Sequence, residues 1–102
     1  MNLTVTNGTE NKFKFTLFAD GVLIDHTTIL AAKLHTIFGT TLADSEIDPT
    51  DWDFTNTGFI TVKLGLTQSL SDTYSCKLIV KTAEYTTGLA WDDTIITLTI
   101  QP

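Results

Sequence analysis

The sequence predicts an all-β protein, an antiparallel β-sandwich of about seven strands. Three observations lead to this fold class. Apolar and polar residues alternate in several short segments, turn residues recur between these segments, and the chain is rich in threonine and β-branched residues but contains only 2 prolines. Antiparallel strands that are apolar on one face must stack as two sheets, because each apolar face has to be buried.

Length and composition predict one folded domain over residues 1–102, with residues 1–9 as a possible arm or edge strand. The chain has 102 residues, of which 42% are hydrophobic, which is enough for one core but not for two. The longest wholly apolar run, residues 29–32, is too short to span a membrane. The N-terminus lacks the basic region and the apolar core of a signal peptide, so we expect synthesis in the cytoplasm without secretion.

Charge and cysteine content argue against two further classes of protein. The formal net charge is −6, with only 6 basic residues, whereas proteins that bind nucleic acid need clustered lysine and arginine. The single cysteine, Cys76, cannot form an internal disulfide. Because it lies on the apolar face of a predicted strand, we interpret it as a core residue and not as a catalytic thiol.

The first half of the chain begins with short alternating segments. Residues 2–7 predict an edge strand or arm. Residues 12–17 predict a strand with lysines outward and three apolar residues inward: Phe13, Phe15 and Leu17. Asp20-Gly21 is a turn signal, and residues 22–24 continue beyond it as a hairpin or as a bent part of the first strand.

Residues 28–38 fit two patterns. With a period of two, the residues that share the inward face are Leu30, Ala32, Leu34 and Phe38. With a period of 3.6, one side of a three-turn helix would carry Leu30, Leu34, Ile37 and Phe38. The flanking threonines favour the strand, and residues 41–46 would then pair back against it.

Residues 44–58 predict the long loop of the domain, and Trp52 and Phe54 are expected to pin it to the sandwich. Its five acidic residues are hard oxygen ligands of the kind that calcium prefers: Asp44, Glu46, Asp48, Asp51 and Asp53. The loop lacks the spacing and the glycine of an EF-hand, so we favour a solvated acidic loop over a cation site.

The second half predicts three strands. Residues 59–64 place Ile60, Val62 and Leu64 inward, and the last strand, residues 94–100, alternates apolar residues with threonine. Between them, residues 73–81 form the best-patterned strand, whose apolar face carries Tyr74, Cys76, Leu78 and Val80. Such a strand needs neighbours on both edges and a second sheet over its apolar face.

No combination of residues predicts a catalytic, metal or cofactor site. His26, beside Asp25 at a turn, and His35, pointing outward beside Lys33, are too few for a structural zinc site and have no identifiable Ser or Cys partner. Four aromatic residues are candidates for a platform that binds a sugar or a protein: Phe18, Trp52, Tyr85 and Trp91. Core packing is the commoner role of aromatic residues on strands.

Most of the chain resembles a set of small tailed-bacteriophage proteins with an immunoglobulin-like domain. In the second half the similar residues are 53–55, 58, 60–65, 70, 74–80 and 88–91, and in the first half, which resembles baseplate and tail-associated domains, they are 13–17, 20–25 and 33–34. Ser71-Asp72 stands where these relatives usually carry Pro-Gly. Tyr74 precedes Cys76 by two residues, a spacing typical of immunoglobulin domains; without a second cysteine, only the corner role of the tyrosine carries over.

This resemblance implies an immunoglobulin-like sandwich that is a non-enzymatic component of a virion, either a capsid decoration protein or a tail or fibre adaptor. The implied partners are other virion proteins and copies of the chain itself, with neither nucleic acid nor membrane. Contacts would use an exposed edge or arm, for which residues 1–9 and the last strand to Pro102 are candidates. The alternative is a surface- or glycan-binding module that uses Trp52, Trp91 and the acidic loop.

Overall fold

The computed structural model describes residues 2–19, 21–37, 39–65, 72–90 and 95–102. They form eleven strands, of which seven have four or more residues: β1 (Asn2–Thr6), β2 (Asn11–Phe15), β3 (Phe18–Ala19), β4 (Val22–Leu23), β5 (Ala31–Thr36), β6 (Thr41–Asp44), β7 (Trp52–Asp53), β8 (Ile60–Leu64), β9 (Asp72–Lys81), β10 (Leu89–Ala90) and β11 (Ile96–Gln101). Two 3-10 helices, His26–Thr28 and Pro49–Asp51, lie in the connections. The predicted all-β class is confirmed.

The larger sheet has the order β1-β11-β9-β5-β6, and β10 pairs with one end of β9. As expected from its pattern, β9 has a neighbour on each side: Cys76 lies opposite Ile96 of β11, and Leu78 lies opposite Leu34 of β5. The smaller sheet has the order β2-β8-β7. In chain order the smaller sheet corresponds to the B-E-D sheet of an immunoglobulin domain. Strands β11-β9-β5-β6 of the larger sheet correspond to its G-F-C-C′ sheet, with β9 as strand F.

The core lies between the two sheets and is built almost entirely from apolar side chains. Its members with at most 2% exposure come from both sheets and from the segment after β2: Val5, Leu17, Leu34, Ile60, Val62, Leu64, Cys76, Leu78, Val80, Leu98 and Ile100. Burying a large aliphatic side chain stabilises the fold by roughly 1.5–3 kcal/mol, which makes this shared layer the main source of stability.

The segment predicted as strand or helix contains the strand β5 (Ala31–Thr36) and not the three-turn helix. After the 3-10 helix, β5 pairs along its whole length with β9, and β6 pairs back against β5 as predicted. Ala32 and Leu34 face inward, but the expected inward position of Leu30 is wrong, because Leu30 precedes the strand and is 68% exposed. Phe38 lies outside the described residues.

The N-terminal strand departs from the antiparallel expectation, because β1 runs parallel to β11. The connection to β2 explains this direction. It is a short turn in which the amide of Asn7 donates to Gln101 O (2.8 Å) and the amide of Gly8 donates to Gly65 O (2.8 Å). Since β2 begins at this end of the other sheet, β1 must run towards the same end, as β11 does.

Candidate functional site

Three connections meet at one end of the sandwich, which we call the loop end. They are residues 16–30 between β2 and β5, residues 45–59 between β6 and β8, and residues 82–88 after β9. The amide of Leu30 donates to Lys81 O (2.8 Å), which joins the first connection to the end of β9. The amide of Ser45 donates to Ala32 O (2.9 Å), which brings the second connection to the same place.

The loop end carries most of the exposed large hydrophobic side chains of the described residues. The described residues include eight exposed large hydrophobic side chains. Six of them belong to the loop end: Phe18, Val22, Leu23, Leu30, Ile47 and Tyr85. Phe18 and Leu23 lie opposite each other in the small β3–β4 hairpin. Exposed large apolar side chains that cluster on a protein surface indicate an interaction surface.

His26 holds the loop end to the body of the sandwich. Its ring is fully buried, Nε2 accepts a hydrogen bond from the amide of Leu17 (2.9 Å), and Nδ1 lies 2.9 Å from Thr57 O. Because a carbonyl oxygen only accepts, these contacts assign the proton to Nδ1 and leave Nε2 as the acceptor. One side chain therefore joins the β2–β5 connection to the loop before β8.

Asp25 caps the 3-10 helix that begins at this histidine. Its Oδ1 accepts hydrogen bonds from the amide of Thr27 (3.0 Å) and from the hydroxyl of Thr27 (2.6 Å). These bonds favour the ionised carboxylate and hold the pKa of Asp25 below its ordinary value. The sequence located His26 correctly beside Asp25 at a turn but gave no sign of its burial.

Three of the five acidic loop residues form hydrogen bonds or an ion pair within the fold. Asp44 Oδ1 accepts from the amide of Glu46 (2.9 Å), and Glu46 forms an ion pair with Lys81. Asp53 Oδ1 accepts from the amide and the hydroxyl of Thr55, and these bonds lower the pKa of Asp53. Among the residues that the structure describes, no three His, Cys, Asp or Glu side chains are grouped so that they could hold a metal ion.

A shallow cavity of about 350 Å³ opens beside the Glu46–Lys81 ion pair. It is lined by side chains from all three connections and the adjacent strand ends: Leu30, Ala31, Glu46, Lys81, Thr82 and Thr86. The ion pair lowers the pKa of Glu46 and raises the pKa of Lys81, since each charge stabilises the other. The cavity adds a concave feature to the apolar loop end.

The predicted aromatic platform does not form as a unit. Trp52 is only 7% exposed and packs in the core, with its ring centroid 6.0 Å from that of Phe54. These contacts match the predicted role of the two residues in pinning the loop, but they remove Trp52 from any exposed platform. Phe18 and Tyr85 are exposed, and Trp91 lies outside the described residues.

The remaining candidates are structural. Cys76 is fully buried, and burial raises the pKa of its thiol to about 11, so it is a core residue as predicted. His35 is half-buried, and its Nδ1 lies 3.2 Å from the hydroxyl of Thr41. Tyr74 packs partly against the core, while residues 66–71, which precede it and would receive a tyrosine-corner bond, lie outside the described residues.

The fold also gathers lysines that appear scattered in the sequence. Lys12 and Lys63 lie opposite each other on the outer face of the smaller sheet. On the same face Lys14 Nζ lies 4.5 Å from the centre of the Phe59 ring, within the range of a cation–π contact. Strand pairing brings these residues together, so only the register, and no local motif, would have revealed them.

Comparison with protein-family models, with curated proteins and with solved structures finds no match. No helix in the described part of the chain is long and apolar enough to cross a membrane. The described residues form an all-β sandwich, and the loop end carries most of their exposed large hydrophobic side chains.

Proposed function

We propose that this protein is a non-enzymatic structural component of a bacteriophage virion, a capsid decoration protein or a tail or fibre adaptor, that works through protein–protein contacts. The observation that carries the proposal is the loop end, where six of the eight exposed large hydrophobic side chains of the described residues are gathered. The virion assignment itself rests on the resemblance described above, which is an argument from analogy.

The positions of the reactive side chains support a scaffold. His26 uses both ring nitrogens to hold backbone groups, and the thiol of Cys76 is buried in the core. Glu46 and Lys81 neutralise each other beside the cavity. Each of these groups has a structural partner or a packed environment, as expected of a scaffold.

Trp52 does not support the alternative of a glycan-binding module, because its indole is buried. A sugar platform needs an exposed aromatic face against which the ring can stack. A protein partner instead requires apolar side chains that become buried on docking, and Val22 and Leu23 have this character, with exposures of 68% and 47%.

The proposal is tested by purifying particles of the phage whose genome encodes this protein. Quantitative mass spectrometry is expected to find the protein in the particles in a fixed ratio to a major structural protein. Particles that have been washed at high salt should retain it, since an apolar contact is not screened by ions. Its absence from the particles would overturn the virion assignment.

A further inference from the structure

In the described residues the two main sheets end in four strands, β1 and β6 in the larger sheet and β2 and β7 in the smaller one, while β3, β4 and β10 have only two residues each. Three of the four edges are protected against pairing with another chain. β2 carries Lys12 and Lys14, β7 has only two residues, and the pairing of β6 with β5 is shifted in register at Leu34 and His35. Edge lysines, very short strands and bulges are the usual means by which proteins prevent edge-to-edge association.

β1 has none of these protective features. Asn2–Thr6 reads NLTVT, a five-residue strand without charge or proline, and its pairing with β11 continues without a register shift. Leu3 and Val5 are buried against the core, while Asn2, Thr4 and Thr6 are exposed. The outer edge of β1 is thus a regular, uncharged strand of high β-propensity.

The backbone groups that β1 offers at this edge follow from its hydrogen bonds. The amide of Asn7 donates to Gln101 O (2.8 Å). In a parallel ladder successive residues direct their amide and carbonyl groups to opposite sides, so Leu3 and Val5, like Asn7, face β11. The amide and carbonyl groups of Thr4 therefore face away from the sheet, where a further strand would bind.

We infer that β1 pairs with β1 of a second copy of this chain, antiparallel and about a two-fold axis at Thr4. Charge selects this occupant. Joining two β2 edges about an axis at Phe13 would place Lys12 of each copy opposite Lys14 of the other, whereas two β1 edges bring no charges together. Like charges that lie directly opposite destabilise a strand pair, while threonine pairs contribute favourably.

This pairing is self-complementary. With the axis at Thr4, the Thr4 residues of the two copies exchange two backbone hydrogen bonds, and Asn2 of each copy lies opposite Thr6 of the other. The larger sheets of the two copies become one continuous sheet, and Leu3 and Val5 stay on its buried face. The inference deepens the proposed function by naming one contact for assembly, and it rests on that function for its biological meaning only.

The first test is the oligomeric state of the purified full-length chain. Sedimentation from micromolar to millimolar protein is expected to show a monomer–dimer equilibrium. Thr4→Lys places two like charges opposite each other at the axis and should raise the dimer dissociation constant by about tenfold or more. Thr41→Lys is the matched control, since Thr41 is an exposed threonine on the opposite edge of the same sheet, and it should leave the equilibrium unchanged.

A disulfide test examines the geometry and does not depend on how well the lysine variant folds. Under mild oxidation Thr4→Cys should form a covalent dimer, because the two Cα atoms at the axis would lie about 5.5 Å apart, within disulfide range. Thr6→Cys should not, because Thr6 faces Asn2 of the second copy. The native Cys76 is buried and does not interfere.

A chain that stays monomeric up to millimolar concentration would overturn the inference, as would a dimer that Thr4→Lys leaves intact. Equal cross-linking of Thr4→Cys and Thr6→Cys would overturn the two-fold register. These measurements use the isolated protein, so they are separate from the search for the protein in particles. A dimer that is absent from virions would refute the proposed function alone.

Discussion

In the interior of the sandwich the inward side chains of β8 and β11 are aliphatic and almost fully buried, whereas the loop end displays its apolar side chains and is fixed by polar contacts to backbone atoms. Ile60 and Leu98 have 0% exposure, while Val22 and Leu30 have 68% each. The same residue types thus have opposite roles in the two regions. In the interior, apolar surface is removed from water and stabilises the fold; at the loop end it remains exposed to solvent, where we propose that a partner binds.

The largest expected effect lies in the interior. Leu34→Ala removes a side chain with no exposure and leaves a cavity against β9, so the free energy of unfolding should fall by about 2–5 kcal/mol. Leu30→Ala is the matched control, since Leu30 is 68% exposed, and it should change stability by less than about 0.5 kcal/mol. Urea denaturation measures both; equal losses would break the contrast between the regions.

At the end opposite the loop end the backbone of Gly65 lies close to the turn after β1. Substitution of Gly65 tests whether this close approach matters for stability. Gly65 has φ +114°, and a Cβ atom there would lie 2.1 Å from Thr9 O. Gly65→Ala should therefore destabilise the protein by about 3 kcal/mol. Gly39→Ala, at φ +95° with open space around it, should cost only about 1 kcal/mol. If the two variants unfold at the same urea concentration, the close approach at Gly65 does not add to the loss in the free energy of unfolding.

At the loop end the two histidines provide the next comparison. His26→Leu leaves the amide of Leu17 and the carbonyl of Thr57 without their side-chain partner, and stability should fall by about 1–3 kcal/mol. His35→Leu removes one half-exposed contact with Thr41 and should cost about 0.5 kcal/mol or less. Thermal unfolding followed by circular dichroism checks the order, and a larger loss for His35→Leu would contradict it.

The last effect appears only at alkaline pH and concerns the interior thiol. The pKa of Cys76 is raised from 9.0 to about 11 by burial, so the folded protein keeps a proton that the unfolded chain loses. The contribution of this thiol is complete below pH 9, and the free energy of unfolding should decline as pH rises from 9 to 11, by at most about 2–3 kcal/mol. Cys76→Ala isolates it, because the lysines and tyrosines titrate in both proteins; identical slopes would contradict the burial argument.

Much of the interior could be predicted from the sequence because each strand carries its own signal. The alternation in residues 73–81 predicted the buried face of β9, and residues 59–64 predicted β8, since a period of two places alternate side chains on one face. Residues 44–58 were correctly predicted as the long connection, although the 3-10 helix and the two-residue strand within it were not, because elements that short have no periodicity.

The loop end could not be predicted in the same way, because its features arise from contacts between distant segments. His26 joins residues that lie 9 and 31 positions away, and nothing near it in the sequence distinguishes it from an exposed turn residue. Leu30 was expected inward because the alternation was extended one residue beyond the strand. The direction of β1 depends on which sheet β2 joins, and this is a property of the whole fold.

The proposed docking role of the loop end is tested most directly by the occupancy of variant proteins on purified virions. The double variant Val22→Ser/Leu23→Ser removes two exposed apolar side chains from the β3–β4 hairpin, and Ile37→Ser removes one with 55% exposure from the far end of β5. All three changes are exposed, so both proteins should remain as stable as the wild type. Quantitative mass spectrometry of purified particles should find the double variant depleted about tenfold and Ile37→Ser at wild-type occupancy. Equal occupancy of the two variants would contradict the assignment of the loop end as the docking surface.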